Sequence, residues 1–313
     1  MKTFKPFQTL IKGHTSLSSA FTMLKHSPSE FKADTKGSTM VAVVTEKELQ
    51  SDPPEWYKSV AENDSFVSDL RTSKSAWIYH GNNRILLATH DESKAKTPEK
   101  CAKAARSIGV KVMEALHGKK VRNATMHLSD CFGHESFNQF VNASVLMNYK
   151  YSKKEDIFEK DMSEQDKKDS TVHPQLLQNI QFCTPQSLSN KQIKDTEFYI
   201  TAAKSTLYGR DVINTRGSEG NPDFLEDQIR GIAEGHNNIS NIEVIKGDEL
   251  ATQGLNLFYN VGKAATSPPR LVNVYYKGRP ECTTTDYAIV GKGLTYDTGG
   301  LNLKPTGFME TMY

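Results

Sequence analysis

A lysine and an aspartate near the C-terminal end of the 313-residue sequence have the types and spacing of metal ligands. Lys292 lies between two glycines after an apolar run, and Asp297 follows it closely. A lysine that is desolvated or lies beside a cation has a lowered pKa, and its neutral amine offers a lone pair to a metal. A carboxylate is a hard oxygen donor for the same ion. On spacing alone a phosphate-binding loop and a plain turn stay open, although the P-loop pattern is absent.

A second lysine, Lys304, lies in another tight loop after the run Asp297-Thr298-Gly299-Gly300. As a cation it could stabilise negative charge that develops on a carbonyl oxygen. The apolar run before Lys292, residues 286–290, is predicted to be a strand. Open α/β sheets bind their ligands outside the carboxyl ends of strands, so these side chains lie where such a sheet would bind a ligand.

The same stretch resembles the signature of the leucyl aminopeptidase (cytosol aminopeptidase) family of two-metal exopeptidases. That signature reads VGKGxTFDSGGxxxKP in outline, and residues 290–305 read VGKGLTYDTGGLNLKP. Tyr296 replaces Phe and Thr298 replaces Ser, and the fixed spacing makes the match specific. Weaker similarities lie upstream. They comprise Arg210–Thr215 with the following Asn221-Pro222, the strand-loop-strand lead-in predicted over Gly254–Leu271, and Val141–Lys153. Arg216 stands where the family usually has a proline.

The resemblance implies a role for each matching residue. Lys292 would ligate one metal, and Asp297 would be shared between two. Lys304 would polarise the scissile carbonyl and stabilise the tetrahedral intermediate, and Met312 would line the hydrophobic pocket for the N-terminal side chain. The implied cofactors are two divalent ions, zinc or manganese, and other members of the family bind magnesium or cobalt. The implied reaction removes a leucine-like N-terminal residue from a peptide.

The family's remaining metal ligands, including an NTDAEGR-like segment, have no counterpart up to Tyr313. Two ligands cannot hold two divalent ions, so we expect this chain to be the front portion of the enzyme and inactive alone. The alternative is an inactive truncated paralogue that serves as a structural or assembly subunit. A third hypothesis assigns the function to the N-terminal domain, as a binder of an ADP-ribose-type ligand.

The predicted fold class is α/β, with a macro-like N-terminal domain at residues 1–185 and the first part of the catalytic domain at residues 190–313. A charged stretch at about 153–175 is predicted to be an exposed linker. Predicted strands and helices alternate along both parts. The predicted strands are 39–45, 75–80, 84–90, 121–128, 242–245, 255–261, 270–276 and 286–290, and the predicted helices are 98–117, 137–147, 191–207 and 222–235.

Composition excludes several classes of protein. The formal net charge is +2, which argues against a nucleic-acid or anionic-membrane partner, and no apolar run is long enough to span a bilayer. Four separated cysteines indicate a reducing compartment. We expect a cytoplasmic homo-oligomer, a hexamer in the family, that acts on peptides. A mitochondrial location is the alternative, because the first 29 residues contain no acid.

One other polar cluster could hold a metal. His127, Asp130, Cys131 and His134 lie within eight positions of one another. A strand end followed by a loop and a helix start explains these residues better than a zinc site does.

Overall fold

The computed structural model describes residues 20–25, 39–51, 53, 55–80, 83–90, 95–129, 133–151, 176–184, 188–234, 236–281, 283–310 and 312. Their contacts form two compact units, one ending at Tyr208 and the other beginning at Gly209. The change of unit lies inside a long helix, Asn190–Ile213. The predicted domain limits of 1–185 and 190–313 stay a prediction, and the whole of the predicted linker at 153–175 lies outside the described residues.

The first unit contains six strands and the helices that cover them. Its strands are β1 (Ala20–Lys25), β2 (Thr39–Thr45), β3 (Ser75–His80), β4 (Asn83–His90), β5 (Asn123–Leu128) and β6 (Asn179–Thr184). Its helices are α1 (Glu46–Ser51), α2 (Glu55–Ala61), α3 (Asp64–Ser73), α4 (Pro98–Gly118), α5 (His134–Met147) and the larger part of α6 (Asn190–Ile213).

The six strands form one sheet in the order β1-β6-β5-β2-β4-β3. All neighbours are parallel except β3 and β4, which form the antiparallel hairpin that the sequence predicts. The central strand β2 reads TMVAVVT and is almost wholly buried, as expected for a β-branched strand covered on both faces. Helix α4 begins at Pro98, with Thr97 accepting the Lys100 N–H, and packs on α5. These features confirm the predicted α/β class for this unit.

The second unit contains α7 (Pro222–Glu234), β7 (Ile239–Lys246), α8 (Asp248–Thr252), α9 (Asn256–Gly262) and β8 (Arg270–Tyr276). Strands β7 and β8 pair antiparallel. Helix α7 begins at Pro222 as the sequence predicts, because proline at the first helical position needs no hydrogen-bond partner for its nitrogen.

Two predicted strands of the second unit are wrong. Residues 255–261 form helix α9, whose apolar residues Leu257, Phe258 and Val261 follow helical spacing rather than strict alternation. The lead-in over Gly254–Leu271 is therefore a helix and a loop that lead into strand β8, not strand, loop and strand. Residues 286–290 have no regular structure, and Ile289 is 98% exposed. A strand is stabilised by pairing with a neighbour, and none of the described strand pairings includes residues 286–290.

Other expectations concern the N-terminal residues, the tryptophans and the membrane. Of the acid-free first 29 residues only β1 is described. Trp56 and Trp77 pack against the buried cores of the first unit. Over the part of the chain that is described, no helix has both the length and the apolar character needed to cross a membrane.

Candidate active site

Asp297 and Lys304 form an ion pair within the signature, residues 290–305. The Lys304 Nζ lies 3.0 Å from Asp297 Oδ2, with the two side chains 32% and 45% exposed. The other carboxylate oxygen, Oδ1, accepts the Gly299 N–H at 2.9 Å. Both oxygens of Asp297 therefore have a donor, one of them a cation. The structure brings together two of the four predicted site residues.

A tight loop holds this pair. The Lys304 N–H donates to the Thr298 carbonyl at 2.9 Å, which closes the loop from residue 298 to 304. Gly299 has φ +91°, and a Cβ there would lie 2.3 Å from the Asn302 carbonyl oxygen. Only glycine fits this conformation and this close approach. The first glycine of the DTGG motif is thus required to bring Lys304 back to Asp297.

The electrostatic setting keeps Asp297 ionised. The hydrogen bond from Lys304 and the one from the Gly299 N–H lower the pKa of Asp297, and the positive charges of Lys304 and Lys292 act in the same direction. Lys292 itself is exposed. Lys292, the other predicted metal ligand, is therefore close enough for its charge to lower the pKa of Asp297.

A pocket lies beside the signature, with a volume of about 480 Å³. Its lining residues are Arg216, Gly217, Ser218, Tyr296 and Met312. A Cβ on Gly217 would lie 2.9 Å from the ring carbon Cδ2 of Tyr296, so the ring packs directly on the backbone there. The Met312 N–H donates to the Met309 carbonyl at 3.0 Å in a short turn.

The pocket contains the predicted Met312 and three residues that the sequence reasoning did not assign to a site, Arg216, Gly217 and Ser218. The signal for them was available, since the loop follows the upstream similarity at Arg210–Thr215. Its contact with Tyr296 is distant in sequence, however, and no local pattern reveals it.

The metal ligands within the described residues are too few for a complete site. Asp297 provides one carboxylate and Lys292 one amine, whereas divalent ions in proteins take about four to eight ligands. Nowhere in the described ranges do three or more His, Cys, Asp or Glu side chains form a group that could hold a metal ion. Asp297 suits a divalent ion as a single hard donor, but these residues do not by themselves fit two ions.

The acids of α7 take part in a structural ion-pair network. Arg270, whose side chain is 4% exposed, lies 2.5 Å from both Asp223 Oδ1 and Glu226 Oε2. Ser267 Oγ donates to Asp223 Oδ2 at 2.5 Å. The hydrogen bonds from Ser267 and Arg270 hold the pKa of Asp223 well below its usual range. This network joins the start of α7 to the start of β8, so these acids have a structural role.

The second candidate cluster is partly described. His127 is buried on β5, while Asp130 and Cys131 lie outside the described residues. His134 Nε2 lies 3.1 Å from the Gln192 carbonyl and 3.2 Å from Thr196 Oγ1. His134 therefore contributes to the packing of α5 on α6, as the helix-start explanation predicts.

Sequence comparison connects the second unit to known proteins. Residues 207–313 match the model of the cytosol aminopeptidase family, catalytic domain. The chain is 30% identical over 204 residues to a probable cytosol aminopeptidase of Protochlamydia amoebophila, covering 64% of this chain and 38% of the relative. It is 36% identical over 112 residues to one of Aquifex aeolicus, covering 35% and 22%. The chain thus spans well under two thirds of the length of these relatives.

Solved structures show the same fold. A leucyl aminopeptidase from Trypanosoma cruzi superposes with a TM-score of 0.61 at 18% identity, over 98% of this chain and 57% of that one. The bottromycin maturation enzyme BotP in complex with Mn gives 0.60 at 21% identity, over 88% and 52%. The signature lies within the matched residues 207–313, and this part of the chain is similar to the catalytic domain of the cytosol (leucyl) aminopeptidase family.

Proposed function

We propose that this protein is a polypeptide of a metal-dependent aminopeptidase that removes leucine-like N-terminal residues from peptides. The observation that carries the proposal is the signature VGKGLTYDTGGLNLKP, in which a glycine-dependent loop holds Lys304 3.0 Å from Asp297. A carboxylate can ligate a metal ion, and a cationic lysine beside it can stabilise negative charge on the carbonyl oxygen during hydrolysis of an amide.

Each site residue has a role in this proposal. Asp297 and Lys292 would hold divalent ions, zinc or manganese, together with ligands beyond those described. When bound, such ions supply an activated water and polarise the scissile carbonyl. Lys304 is the cation of this chain that stabilises negative charge on the carbonyl oxygen. In this role Lys304 acts by charge and hydrogen bonding.

The pocket supports the substrate class. Met312 and the ring of Tyr296 give the pocket an apolar surface, and Tyr296 directly precedes Asp297 in the sequence. The flexible side chain of Met312 adapts to side chains of different shape. An unbranched thioether and an aromatic ring suit a leucine-like side chain. We therefore assign Met312 to the binding of the N-terminal side chain of the peptide.

The names of the relatives support a location and a metal for this protein. The relatives are called cytosol aminopeptidases, and one structural neighbour was solved in complex with Mn. We propose a cytoplasmic, homo-oligomeric protein, a hexamer as the family resemblance implies, with peptide as its substrate. A mitochondrial location stays open as the alternative.

The test of this function is hydrolysis of leucine amide, with added Mn²⁺ or Zn²⁺, by the protein purified at its native length. Lys304→Met and Asp297→Asn should each lower the rate by roughly a hundredfold or more, since single charge-stabilising donors are worth about that much. Lys277→Met, which removes an exposed lysine outside the site, is the control. Equal rates in all three variants would contradict the assigned roles.

The alternative is an inactive paralogue that acts as a structural or assembly subunit. It is favoured by the exposed apolar residues of the segment before Lys292, where Tyr287, Ile289 and Val290 are 89%, 98% and 95% exposed. Large apolar side chains grouped in this way mark contact surfaces. An intact mass near 35.0 kDa, with no metal bound and no release of leucine, would support this alternative. A larger mass with two ions per chain would support the enzyme.

A further inference from the structure

The ring of Tyr296 rests on the backbone of Gly217. A Cβ on Gly217 would lie 2.9 Å, 3.3 Å and 3.4 Å from the Cδ2, Cγ and Cβ atoms of Tyr296. These atoms lie at the base of the side chain, and they cannot swing aside as the tip of a long, flexible side chain can. The contact therefore restrains the backbone of Tyr296, which is bonded directly to Asp297.

The loop that carries Gly217 is held in place by its own hydrogen bonds. It connects α6 to α7. The Arg216 carbonyl accepts the N–H groups of Glu219 and Gly220 at 2.9 Å and 2.7 Å. Thr215 is 4% exposed, and its hydroxyl donates at 2.9 Å to a carbonyl in the last turn of α6. The loop therefore presents an ordered backbone surface to the ring.

The apolar side chains of the signature differ in how well they are held. Its three leucines are each more than half exposed, so their burial contributes little to the conformation of the segment. The hydrogen-bonded loop from 298 to 304 fixes Lys304 relative to Asp297. The contact of Tyr296 with Gly217 fixes Asp297 relative to the loop before α7.

We propose that Tyr296 is a positioning residue for the Asp297–Lys304 pair, and that the Gly217 backbone supports it. Tyr296 acts through Asp297. When the ring is displaced, the carboxylate loses its place beside the Gly299 N–H and the Lys304 ammonium group. This role is separate from the lining of the pocket. It rests on the proposed function only in that Asp297 and Lys304 are taken as residues of the reaction site.

The experiment is hydrogen exchange of the protein at its native length, read by mass spectrometry over residues 298–304. Gly217→Ala should accelerate this exchange by roughly fivefold or more, the factor that corresponds to overpacking by one methyl group. The substitution tests the contact alone, because the φ of Gly217 lies outside the left-handed range. Gly209→Ala is the matched control, since a Cβ there has no atom within 4 Å. It should leave the exchange at the wild-type rate.

Variants of Tyr296 test the ring directly. Tyr296→Phe retains the ring and introduces the residue of the family signature, so it should keep the wild-type exchange. Tyr296→Ala should accelerate the exchange as Gly217→Ala does. Combined with Tyr296→Ala, Gly217→Ala should add less than about twofold, because the two substitutions remove the same contact.

The amides of β7 separate positioning from a general loss of stability, because β7 belongs to the same unit. Their exchange should stay unchanged while that of residues 298–304 accelerates. Three results would overturn the inference: unchanged exchange at 298–304 in Gly217→Ala, equal acceleration in Tyr296→Phe and Tyr296→Ala, or equal acceleration in β7. None of these readouts depends on peptide hydrolysis. An active enzyme can therefore fail this test, and an inactive protein can pass it.

Discussion

At the scale of single residues, the loop that brings Lys304 to Asp297 depends on Gly299. Its φ of +91° and the 2.3 Å approach of a Cβ to Asn302 O leave no room for a side chain. We expect Gly299→Ala to break the Lys304 N–H···O Thr298 hydrogen bond. Strain of this kind costs about 1–3 kcal/mol, so hydrogen exchange at the Lys304 amide should accelerate by roughly tenfold or more. The measurement is amide exchange by NMR.

The matched control for this prediction lies in the same signature. Gly291 has no atom within 4 Å of an added Cβ, and its φ lies outside the left-handed range. Gly291→Ala should leave the exchange of the Lys304 amide unchanged. If both variants behaved alike, the loop would not depend on the conformation of Gly299.

Asp223 gives a prediction about pH. The hydrogen bonds from Ser267, Arg270 and Lys246 lower its pKa in the folded chain, although burial opposes them. A group whose pKa is lowered by folding stabilises the fold above its unfolded pKa, about 3.9 for aspartate. That contribution is lost as the pH falls through the lower, folded pKa. We expect the stability difference between wild type and Asp223→Asn to be constant from pH 7 to about 5 and to shrink below about pH 4.

This difference is measured by urea unfolding at a series of pH values, with the unfolding monitored through hydrogen exchange of residues 222–276. A gap that persisted unchanged down to pH 2 would show that the charge of Asp223 contributes nothing. The half-exposed side chain of Asp223 limits the size of the effect, because solvent screens an exposed charge.

At the scale of elements, the guanidinium of Arg270 joins α7 to β8. Arg270→Met removes a 4%-exposed cation and leaves Asp223 and Glu226 together without it. We expect a loss of about 2 kcal/mol in unfolding free energy, between the values typical of exposed and of buried pairs. Arg279→Met is the control, since its pair with Asp286 is 62% and 51% exposed and should cost about 0.5 kcal/mol or less. Equal losses would mean that burial of Arg270 adds nothing.

The same scale shows what the sequence could predict. Helices α4 and α7 were predictable because their signals are local: Pro98 and Pro222 at the starts and a repeating apolar face after them. Residues 255–261 and 286–290 were predicted as strands and are not. An apolar run becomes a strand only when another strand pairs with it. The sequence of the run does not indicate whether such a neighbour is present.

Some residues of the candidate site could be predicted from local sequence, and others could not. Asp297 and Lys304 were predictable as residues of one site because a fixed spacing and a glycine-rich turn connect them, whereas their ion pair was not predicted. Arg216, Gly217 and Ser218 were not, since they reach Tyr296 and the pocket through a contact that spans many residues. Local chemistry was therefore visible in the sequence, and the surface around it depends on the tertiary fold.

At the scale of the molecule, residues 176–208 belong by contact to the first unit. Strand β6 lies between β1 and β5 and pairs with both, and Leu176, Leu177, Ile180 and Phe182 are almost fully buried. Burying each such side chain contributes about 1.5–3 kcal/mol. The charged stretch at 153–175, predicted from its composition to be an exposed linker, precedes this segment. A cut in the linker should therefore leave both fragments associated.

The test replaces residues 160–166 with the recognition sequence of a site-specific protease and cleaves the purified chain. We expect two bands on a denaturing gel but a single, unshifted peak in native size-exclusion chromatography. Addition of urea above the unfolding midpoint should separate the fragments, because β6 then no longer pairs with β1 and β5. Separation without urea would place the boundary between independent folding units at the linker. It would mean that β6 contributes less to the first unit than its pairing and burial require.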